Sequence, residues 1–468
     1  MLTLTSCAVG PKYTKPSVPA APSYSEQAPA GFREANGWKP AQPSDAAIRG
    51  KWWELFHDSG LNALEEQVEP ANQTLKAAEA NLRQARAAIT VNRSSLFPTI
   101  TAAPQITAQH TSANRLVGLG ARTGGDFILP LDLSYEVDLW GRIRRNITAA
   151  REQFQASAAD LENAKLSLHA EVGTDYFEAR SLDAQKQLLD NTVAAYRRAL
   201  QLTRNRFEGG IASKAEVAQA QTQLSTTEAQ EIDVSVARAQ YEHALAVLVG
   251  KTPESFKLLP KPLEEAPPPV PIGVPSQLLE RRPDIAAAER RMAAANEQIG
   301  IARIAFFPQL LISASGGLEG SSIVNWFNWP SRFWAVGPQM LETLFDAGRR
   351  RAQVEQAQAA YDATVATYRQ TALSAFQEVE DNLSTLRILE QELAKQREAT
   401  ASAENSLELS VNRYKGGLVT YLEVVTAQSI ALSNERTEVD LLRRRMDATV
   451  LLVKALGGGW ETSKLPQS

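Results

Sequence analysis

The feature that most constrains the fold of this chain is an internal repeat. Residues 206–221, "RFEGGIASKAEVAQAQ", align without a gap with residues 413–428, "RYKGGLVTYLEVVTAQ", at an offset of 207 positions. The same offset aligns Gly141 of "WGR" with Gly348 of "AGR". One register held across distant landmarks indicates a duplicated structural unit. The two halves are therefore expected to contain the same secondary structure elements in the same order.

The halves differ in length at one place only. "LFP" at 96–98 aligns with "FFP" at 306–308 at an offset of 210, so the difference of three residues lies between these motifs and the two glycines. Because loops accept insertions more readily than packed elements, this stretch is expected to hold a strand, a loop and a second strand. In residues 128–140, "ILPLDLSYEVDLW", apolar and polar residues alternate with the period of a two-faced strand.

The remainder of each half is predicted to be helical. Residues 142–207 and 349–414 contain no proline and are rich in Ala, Gln, Glu, Leu and Arg. Their apolar residues recur at the spacing of one buried stripe. At 1.5 Å per residue, each helix would be about 100 Å long. A Gly-Gly pair then allows a left-handed cap and a tight reversal into a return helix.

These patterns predict a mainly α fold with a small β part, divided into five segments. Residues 8–50 are rich in proline, alanine and serine and are predicted to form an extended tether. Two shorter helices, at about 60–96 and 276–306, should lead into the strands. The predicted segments are an N-terminal tether at 1–59, a first repeat at 60–250 with a strand hairpin at about 99–139, a proline-rich bridge at 251–275, a second repeat at 276–457 with a strand hairpin at about 309–345, and a C-terminal tail at 458–468.

Composition and motifs exclude several classes of function. The formal net charge of −4 gives no general electrostatic case for binding nucleic acid. No apolar run approaches the roughly 18 residues of a membrane-spanning helix. The sequence has no Walker loop, no nucleophile elbow and no cysteine and histidine cluster at metal-ligand spacing. We therefore expect neither an enzyme nor a bound cofactor.

The predicted strands point to an assembly of several chains. Four strands per chain are too few to close a barrel around a lumen, and an unpaired sheet edge is costly in lipid. If the apolar face meets lipid, chains must pool their strands, and three chains would supply roughly twelve. The polar face would then line a watery interior with Asp132, Ser134, Glu136 and Asp138. The alternative is a soluble coiled-coil scaffold whose hairpins pack on its own helices.

The loops of the two predicted hairpins differ in character. The first, "SANRLVGLGARTGGD" at 112–126, is rich in glycine, serine and asparagine. The second, "SSIVNWFNWPSRFW" at 321–334, is aromatic. Aromatic residues bunched at a strand end are typical of a membrane–water interface, and a packed surface cluster is the alternative.

Several long motifs follow one another along nearly the whole chain. They are "CAVGPKY", "WWELFHDSGLNALEEQ", "YEVDLWGRIRR", "LLERRPDIAAAERRMAAANEQIGIARIAFFP", "LFDAGRRRAQVEQAQAAY" and "LLVKALGGGW". With these motifs the sequence resembles the TolC-like outer-membrane factors of tripartite efflux systems, in particular the lipoprotein branch that serves RND-type drug pumps.

The resemblance implies a homotrimer in the outer membrane of a Gram-negative bacterium. Its β-barrel would have about twelve strands, and a coiled-coil barrel of long helices would form a tunnel through the periplasm. Its partners would be outer-membrane lipids, a periplasmic adaptor protein and an inner-membrane RND-type transporter. It would act as a passive, gated exit duct for drugs and other small molecules. The same fold in type I protein secretion or in heavy-metal efflux is the alternative.

The resemblance also implies a gate near the Gly-Gly turns. Tyr414 and Glu216 occupy the positions of a tyrosine and an acid that link neighbouring hairpins, and Glu423 matches an acid of the constriction. Thr426 and Ser429 stand where aspartate and arginine are common, and Val419 stands where some members carry a linking arginine. The alternative for both glutamates is a helix N-terminal charge favoured by the dipole. The residues expected at the hairpin tips, where the adaptor would dock, are Arg206, Phe207, Gly209, Gly210, Arg413, Gly416 and Gly417.

The only cysteine, Cys7, follows "LTLTS" in a context that resembles a bacterial lipobox. A covalent lipid on Cys7 is therefore expected, and Ala8 after it favours sorting to the outer membrane. Only six residues precede Cys7, so a fuller signal peptide is expected upstream of this start. A chance cysteine near the terminus is the alternative.

Overall fold

The computed structural model describes residues 9–18, 23–26, 50–112, 122–263, 266–270 and 275–466. The helices are α1 (Ser59–Ala71), α2 (Gln73–Ser94), α3 (Arg142–Glu208), α4 (Lys214–Leu248), α5 (Pro275–Arg281), α6 (Pro283–Ile304), α7 (Arg349–Lys415) and α8 (Tyr421–Ala455). The strands are β1 (Thr99–Ala102), β2 (Gln105–Thr111), β3 (Arg122–Val137), β4 (Gln309–Gly320) and β5 (Arg332–Leu341). Within the described residues, none of the helices has the length and apolar character to cross a membrane.

The element boundaries confirm the duplication. Helices α3 and α7 each have 67 residues, and both their starts and their ends are 207 positions apart. Helices α4 and α8 each have 35 residues and keep the same offset. Helices α2 and α6 each have 22 residues at an offset of 210. A helix of 67 residues extends about 100 Å, so each repeat is dominated by one long antiparallel hairpin.

The prediction of one short helix before each strand hairpin was wrong, because both helices are broken. The first break is at Asn72, whose backbone is extended and whose side-chain oxygen accepts hydrogen bonds from the amides of Thr74 and Leu75. The second is at Arg282, and a residue that precedes a proline disfavours helical backbone. Asn72 Nδ2 donates to Leu248 O at 2.9 Å. Likewise, Arg282 Nη1 donates to the carbonyl of the last residue of α8 at 3.1 Å. At each break, the residue between the two helices therefore forms a hydrogen bond with the end of a distant helix.

The strands form one antiparallel sheet in the order β1–β3–β4–β5, and β2 also pairs with β3. Ala102 pairs with Leu131 and Gln105 pairs with Ile128, so β1 and β2 keep one register along β3. They form a single strand interrupted next to Pro104, which has no amide hydrogen to donate. The sheet thus has the predicted four strands. Strands β3 and β5 start at Arg122 and Arg332, inside the segments predicted as loops, because the pairing ladder extends that far.

The register gives the sheet an apolar face and a polar face. Residues paired across antiparallel strands point to the same side. Rows of the apolar face are Ile100–Leu133–Ala314–Val336 and Ala102–Leu131–Gly316–Trp334. Rows of the polar face are Thr101–Asp132–Ser315–Ala335 and Thr99–Ser134–Ser313–Gly337. The apolar face is open in the single chain, with Leu131 56% and Trp334 80% exposed.

The largest apolar core lies where the short elements pack around the long helices. Trp52 and Phe56, from a 3₁₀ turn, are buried together with residues of α1, α3, α4, α7 and α8. The proline-rich bridge adds Phe256, Leu258 and Val270 to the same core. This region fixes the long hairpins to one another far from their tips.

Candidate functional site

The tips of the two long hairpins are built alike. After α3, Gly210 has φ +74°, and the amides of Ile211 and Gly210 donate to the carbonyls of Arg206 and Phe207 at 2.8 and 2.9 Å. This is the Schellman arrangement, which requires a left-handed residue that glycine adopts without strain. The sequence prediction of a left-handed glycine cap at this turn is confirmed.

The second tip repeats this geometry at the same offset. Gly417 also has φ +74°, and the amides of Leu418 and Gly417 donate to the carbonyls of Arg413 and Tyr414. Both of these hydrogen bonds measure 3.0 Å. Each tip is thus a rigid reversal rather than a flexible loop.

Tyr414 links the second hairpin to the first. Its hydroxyl donates to Glu216 Oε2 at 3.2 Å and lies 3.5 Å from Thr203 Oγ1. The side chain is only 3% exposed, and burial is the main cause that raises the pKa of Tyr414. The hydroxyl therefore keeps its proton at neutral pH and can act as the donor to the carboxylate.

Arg206 forms a second link between the hairpins. Its guanidinium carbon lies 4.7 Å from the ring centroid of Tyr414, and its Nη1 donates to the carbonyl of Lys415 at 3.1 Å. That carbonyl belongs to the last residue of α7 and has no partner within the helix. Arg206, predicted as an adaptor-docking residue, thus binds the C-terminal end of α7 in the second hairpin. Phe207 beside it is exposed.

An aromatic cluster lies just inside the tips. The rings of Tyr414 and Tyr421 meet edge to face, with centroids 5.2 Å apart. Burial raises the pKa of Tyr421 to about 12. The cluster draws on all four long helices, and its other buried members are Val193, Tyr196, Leu200, Ala220, Leu224 and Val424. Separating the hairpins would expose this apolar surface.

The remaining gate candidates have different surroundings. Glu423 pairs with Arg413 Nη1 at 2.9 Å inside the second hairpin, and both side chains are well exposed. Such a pair contributes about 0–1 kcal/mol. Ser429 Oγ accepts from Gln223 Nε2 at 3.3 Å and so joins α8 to α4. The hydroxyl of Thr426 donates to a carbonyl of its own helix.

Glu216 and Glu423 are each the third residue of a return helix, which is also the position expected of a dipole-stabilising acid. The amide of Glu216 donates to Ser213 Oγ at 3.3 Å, so the helix start is capped by the serine. The carboxylate of Glu216 remains available to Tyr414. The two roles considered for Glu216 are therefore compatible.

The residues predicted to line a lumen lie at different heights of the sheet. Asp132 and Ser134 are on the polar face. Glu136 Oε1 accepts from Arg142 Nε at 2.8 Å at the start of α3. Asp138 differs from the prediction in position, because it lies beyond the end of β3 and accepts the amides of Ile143 and Arg144 at 3.1 and 3.0 Å. Its carboxylate caps α3. Cys7 lies outside the described residues.

Sequence reasoning missed the contacts made by Arg206 and Gln223. The repeat aligns Arg206 with Arg413, yet the two arginines bind different partners. No local pattern distinguishes them, because the difference depends on which hairpin lies beside each tip.

A two-faced, four-stranded sheet mounted on two duplicated helical hairpins defines an outer-membrane efflux channel. A sequence model of the family described as "Outer membrane efflux protein" matches residues 64–251 and 274–458, and the chain belongs to this family.

Individual relatives agree over almost the whole length. The solvent efflux pump outer membrane protein SrpC of Pseudomonas putida is 32% identical over 471 residues, covering 99% of this chain and 98% of SrpC. The outer membrane protein OprJ of Pseudomonas aeruginosa is 31% identical, covering 99% of this chain and 95% of OprJ. The solved structure of the outer-membrane channel OprN superposes with a TM-score of 0.85 at 28% identity, covering 97% of this chain and 100% of that one. The protein is therefore the outer-membrane component of an efflux pump and works with partner proteins.

Proposed function

We propose that three copies of this chain close into one exit duct for small organic molecules that an inner-membrane RND-type transporter delivers through a periplasmic adaptor. The observation that carries the proposal is the open sheet. In one chain, the edges formed by β1 with β2 and by β5 are unpaired within the described sheet, and its apolar face is exposed. In lipid each unpaired backbone group costs several kcal/mol, so closure with further copies removes the cost.

The dimensions of the sheet support this arrangement. Strand β4 has 12 residues and is about 40 Å long at roughly 3.3 Å per residue. Tilted as barrel strands are, it matches a hydrocarbon core of about 30 Å. Three copies would contribute roughly twelve strands, with the polar face turned inward. Relatives named as solvent, toluene and antibiotic efflux proteins support small organic molecules as cargo.

A lipid on Cys7 fits the course of the N-terminal segment. A Cβ placed on Gly10 would lie 2.7 Å from Gly300 Cα and 2.9 Å from Arg145 Nη2, so the segment packs closely there. Gly300 is near the end of α6 and Arg145 is in the first turn of α3, which are the helix ends next to the sheet. The three residues back to Cys7 span at most about 10 Å. An acyl chain on Cys7 would therefore reach the same membrane as the strands.

The inter-hairpin contacts support a gate that is closed at the tips. The contacts of Tyr414 with Glu216 and of Arg206 with Lys415 must break before the second hairpin can move away from the first. The two links together contribute about 2 kcal/mol, which shifts an equilibrium more than tenfold. Opening therefore needs energy from a docked partner.

The gate and the exit duct can be tested together by single-channel recording. Purified protein that carries both Arg206→Ala and Tyr414→Phe is expected to conduct in a planar bilayer with an open probability at least tenfold above that of the wild type. Arg204→Ala is the matched control, because Arg204 is two residues away and bonds Gln221 inside the first hairpin. An open probability equal to that of the control would exclude these links from the gate. Absence of conductance from both the wild type and the double variant would overturn the exit duct.

Ion selectivity tests the place of Glu423 in the constriction. Glu423→Gln removes one negative charge per chain and is expected to weaken the preference of the open channel for cations. The reversal potential in a potassium chloride gradient measures this preference. Unchanged selectivity would place Glu423 outside the narrow part of the duct.

A further inference from the structure

The outer end of the sheet's apolar face carries a single charge. Arg332 is the first residue of β5 and pairs with Leu318, which in turn pairs with Leu129. Its side chain therefore belongs to the same face as Leu131 and Trp334. Among the strand residues that the register assigns to this face, Arg332 is the only Lys, Arg, Asp or Glu. A charge on a face that meets lipid is normally compensated by a partner.

The partner found in the chain is an aromatic ring and not an acid. The guanidinium carbon of Arg332 lies 3.1 Å from the ring centroid of Trp329, and Trp329 is 74% exposed. No carboxylate of the described ranges forms an ion pair with Arg332. Stacking occupies the face of the guanidinium and leaves its N–H edge available for an oxyanion.

The loop that carries Trp329 folds over the apolar face. Gly320 pairs with Phe127 on that face, and a Cβ on Gly320 would lie 3.2 Å from Trp326 Cα. The rings of Trp326 and Phe127 have centroids 5.7 Å apart. Trp326 Nε1 donates to the carbonyl of Leu318 at 3.3 Å, which fixes the loop there. The loop therefore extends the apolar surface beyond the strand ends and does not turn toward the polar face.

The position of this surface follows from chain connectivity. Strand β4 starts just after α6, and β5 leads into α7, so Gly320 and Arg332 are at the sheet end far from the helices. If the helices enter the periplasm, as the proposed function requires, this end lies at the outer leaflet. Tryptophan and arginine are both favoured at the headgroup level of a membrane.

We propose that Arg332 and Trp329 form a binding site for a phosphate of lipid A in the outer leaflet, while Trp326 and Trp334 contact its acyl chains. A planar guanidinium binds phosphate through two parallel hydrogen bonds, and the stacked ring holds it in the required orientation. The anion neutralises the one charge on the apolar face, and the aromatic rings cover the glycolipid boundary. The site holds the outer rim of each subunit at a fixed depth in the membrane.

Lipid binding to purified protein in a zwitterionic detergent tests this site. Wild type, Arg332→Gln, Arg332→Lys and Trp329→Leu are titrated with lipid A, and bound lipid is counted by native mass spectrometry. We expect Arg332→Gln to weaken binding roughly tenfold, with smaller losses for the other two variants. Arg86→Gln is the matched control, since Arg86 is an exposed arginine on α2 outside the sheet, and it should bind as the wild type does. Dephosphorylated lipid A should bind weakly and equally to all five proteins.

Two results would overturn the site: Arg332→Gln binding lipid A as tightly as Arg86→Gln, or dephosphorylated lipid A showing the same dependence on Arg332. Single-channel recording of the same variants, each made with Arg206→Ala and Tyr414→Phe so that the gate is open, separates this failure from failure of the proposed function. If the channels conduct and lipid A binds equally well with and without Arg332, only the proposed headgroup site is wrong. If lipid binding follows Arg332 and no preparation conducts, the exit duct is wrong and the lipid site remains.

Discussion

Replacing Gly250 with alanine is expected to lower the free energy of unfolding by about 4 kcal/mol, which is exceptional for one methyl group. Gly250 follows the C-cap of α4 with φ +68°, and its Cβ position lies 2.5 Å from the carbonyl oxygen of Ala71. The left-handed backbone alone costs an alanine about 1–2 kcal/mol. The clash adds to this because the atom in the way belongs to the backbone of α1. Thermal unfolding followed by circular dichroism in detergent should show a midpoint far below that of the wild type.

Gly141→Ala is the control that separates the two causes. Gly141 has φ +84°, yet nothing lies within 4 Å of its Cβ position, so alanine there meets strain without a clash. Its loss should stay at about 1–2 kcal/mol. Gly457 is the counterpart of Gly250 in the second repeat, with φ +91° and a Cβ position 2.3 Å from the carbonyl oxygen of Arg281. Equal losses at Gly141 and Gly250 would show that the close approach to Ala71 has no energetic role.

The duplication explains why much of this fold could be predicted from the sequence. Both copies of the long hairpin carry the same glycine turn, and their helices have no proline for 67 residues. The strands could be recognised because a period of two in residues 128–137 cannot be mistaken for a helical stripe. Signals of this kind are local, and a second copy of each confirms the boundaries of the first.

The features that were missed depend on contacts between distant segments. The break at Asn72 exists because its side chain satisfies a carbonyl at the end of α4, 176 positions away. A stretch from about 60 to 96 has good helical composition, so nothing local indicates a break there except Pro70. In the same way, Asp138 follows the alternation of the strand, although its carboxylate is used by the amides that start α3.

The candidate gate site shows how far the repeat can guide prediction. The pairing of Tyr414 with Glu216 was expected from resemblance to the family, and the two atoms lie at 3.2 Å. The clamp made by Arg206 was not expected, since its counterpart Arg413 forms an ion pair inside its own hairpin. Duplicated sequence gives duplicated backbone turns, but the two tips have different neighbours. Of these two equivalent arginines, Arg206 therefore links one hairpin to the other, whereas Arg413 binds within its own hairpin.

The proline-rich bridge is fastened by one buried acid. Asp183 of α3 has a side chain that is 6% exposed and accepts three hydrogen bonds. Arg180 Nη1 and Arg238 Nε donate to it at 3.3 and 3.1 Å, and the backbone amide of Lys261 donates at 2.9 Å. Both arginines also donate to carbonyls of the bridge, at Leu259 and Leu258. Asp183 therefore holds the two guanidiniums that fix the bridge across the first hairpin.

Asp183→Asn is expected to destabilise the protein by about 3–5 kcal/mol, because it leaves the buried guanidinium of Arg180 without its ion-pair partner, whereas Arg238 keeps Glu242. The bridge should then open more often, so limited trypsin digestion should cleave after Lys257, which precedes Leu258, much faster than in the wild type. Mass spectrometry of the fragments identifies the cleavage site.

Asp190→Asn provides the comparison on the same helix. Asp190 pairs with Lys186 at 2.7 Å, but both side chains are well exposed, so the expected loss is below about 1 kcal/mol and the bridge should stay closed. If the two substitutions had similar effects on unfolding, burial of Asp183 would have no special energetic role. If Asp183→Asn lowered the midpoint without faster cleavage at the bridge, the acid would stabilise α3 alone. Only the combination of a large loss and a newly cleaved bridge supports Asp183 as the residue that holds the bridge against the first hairpin.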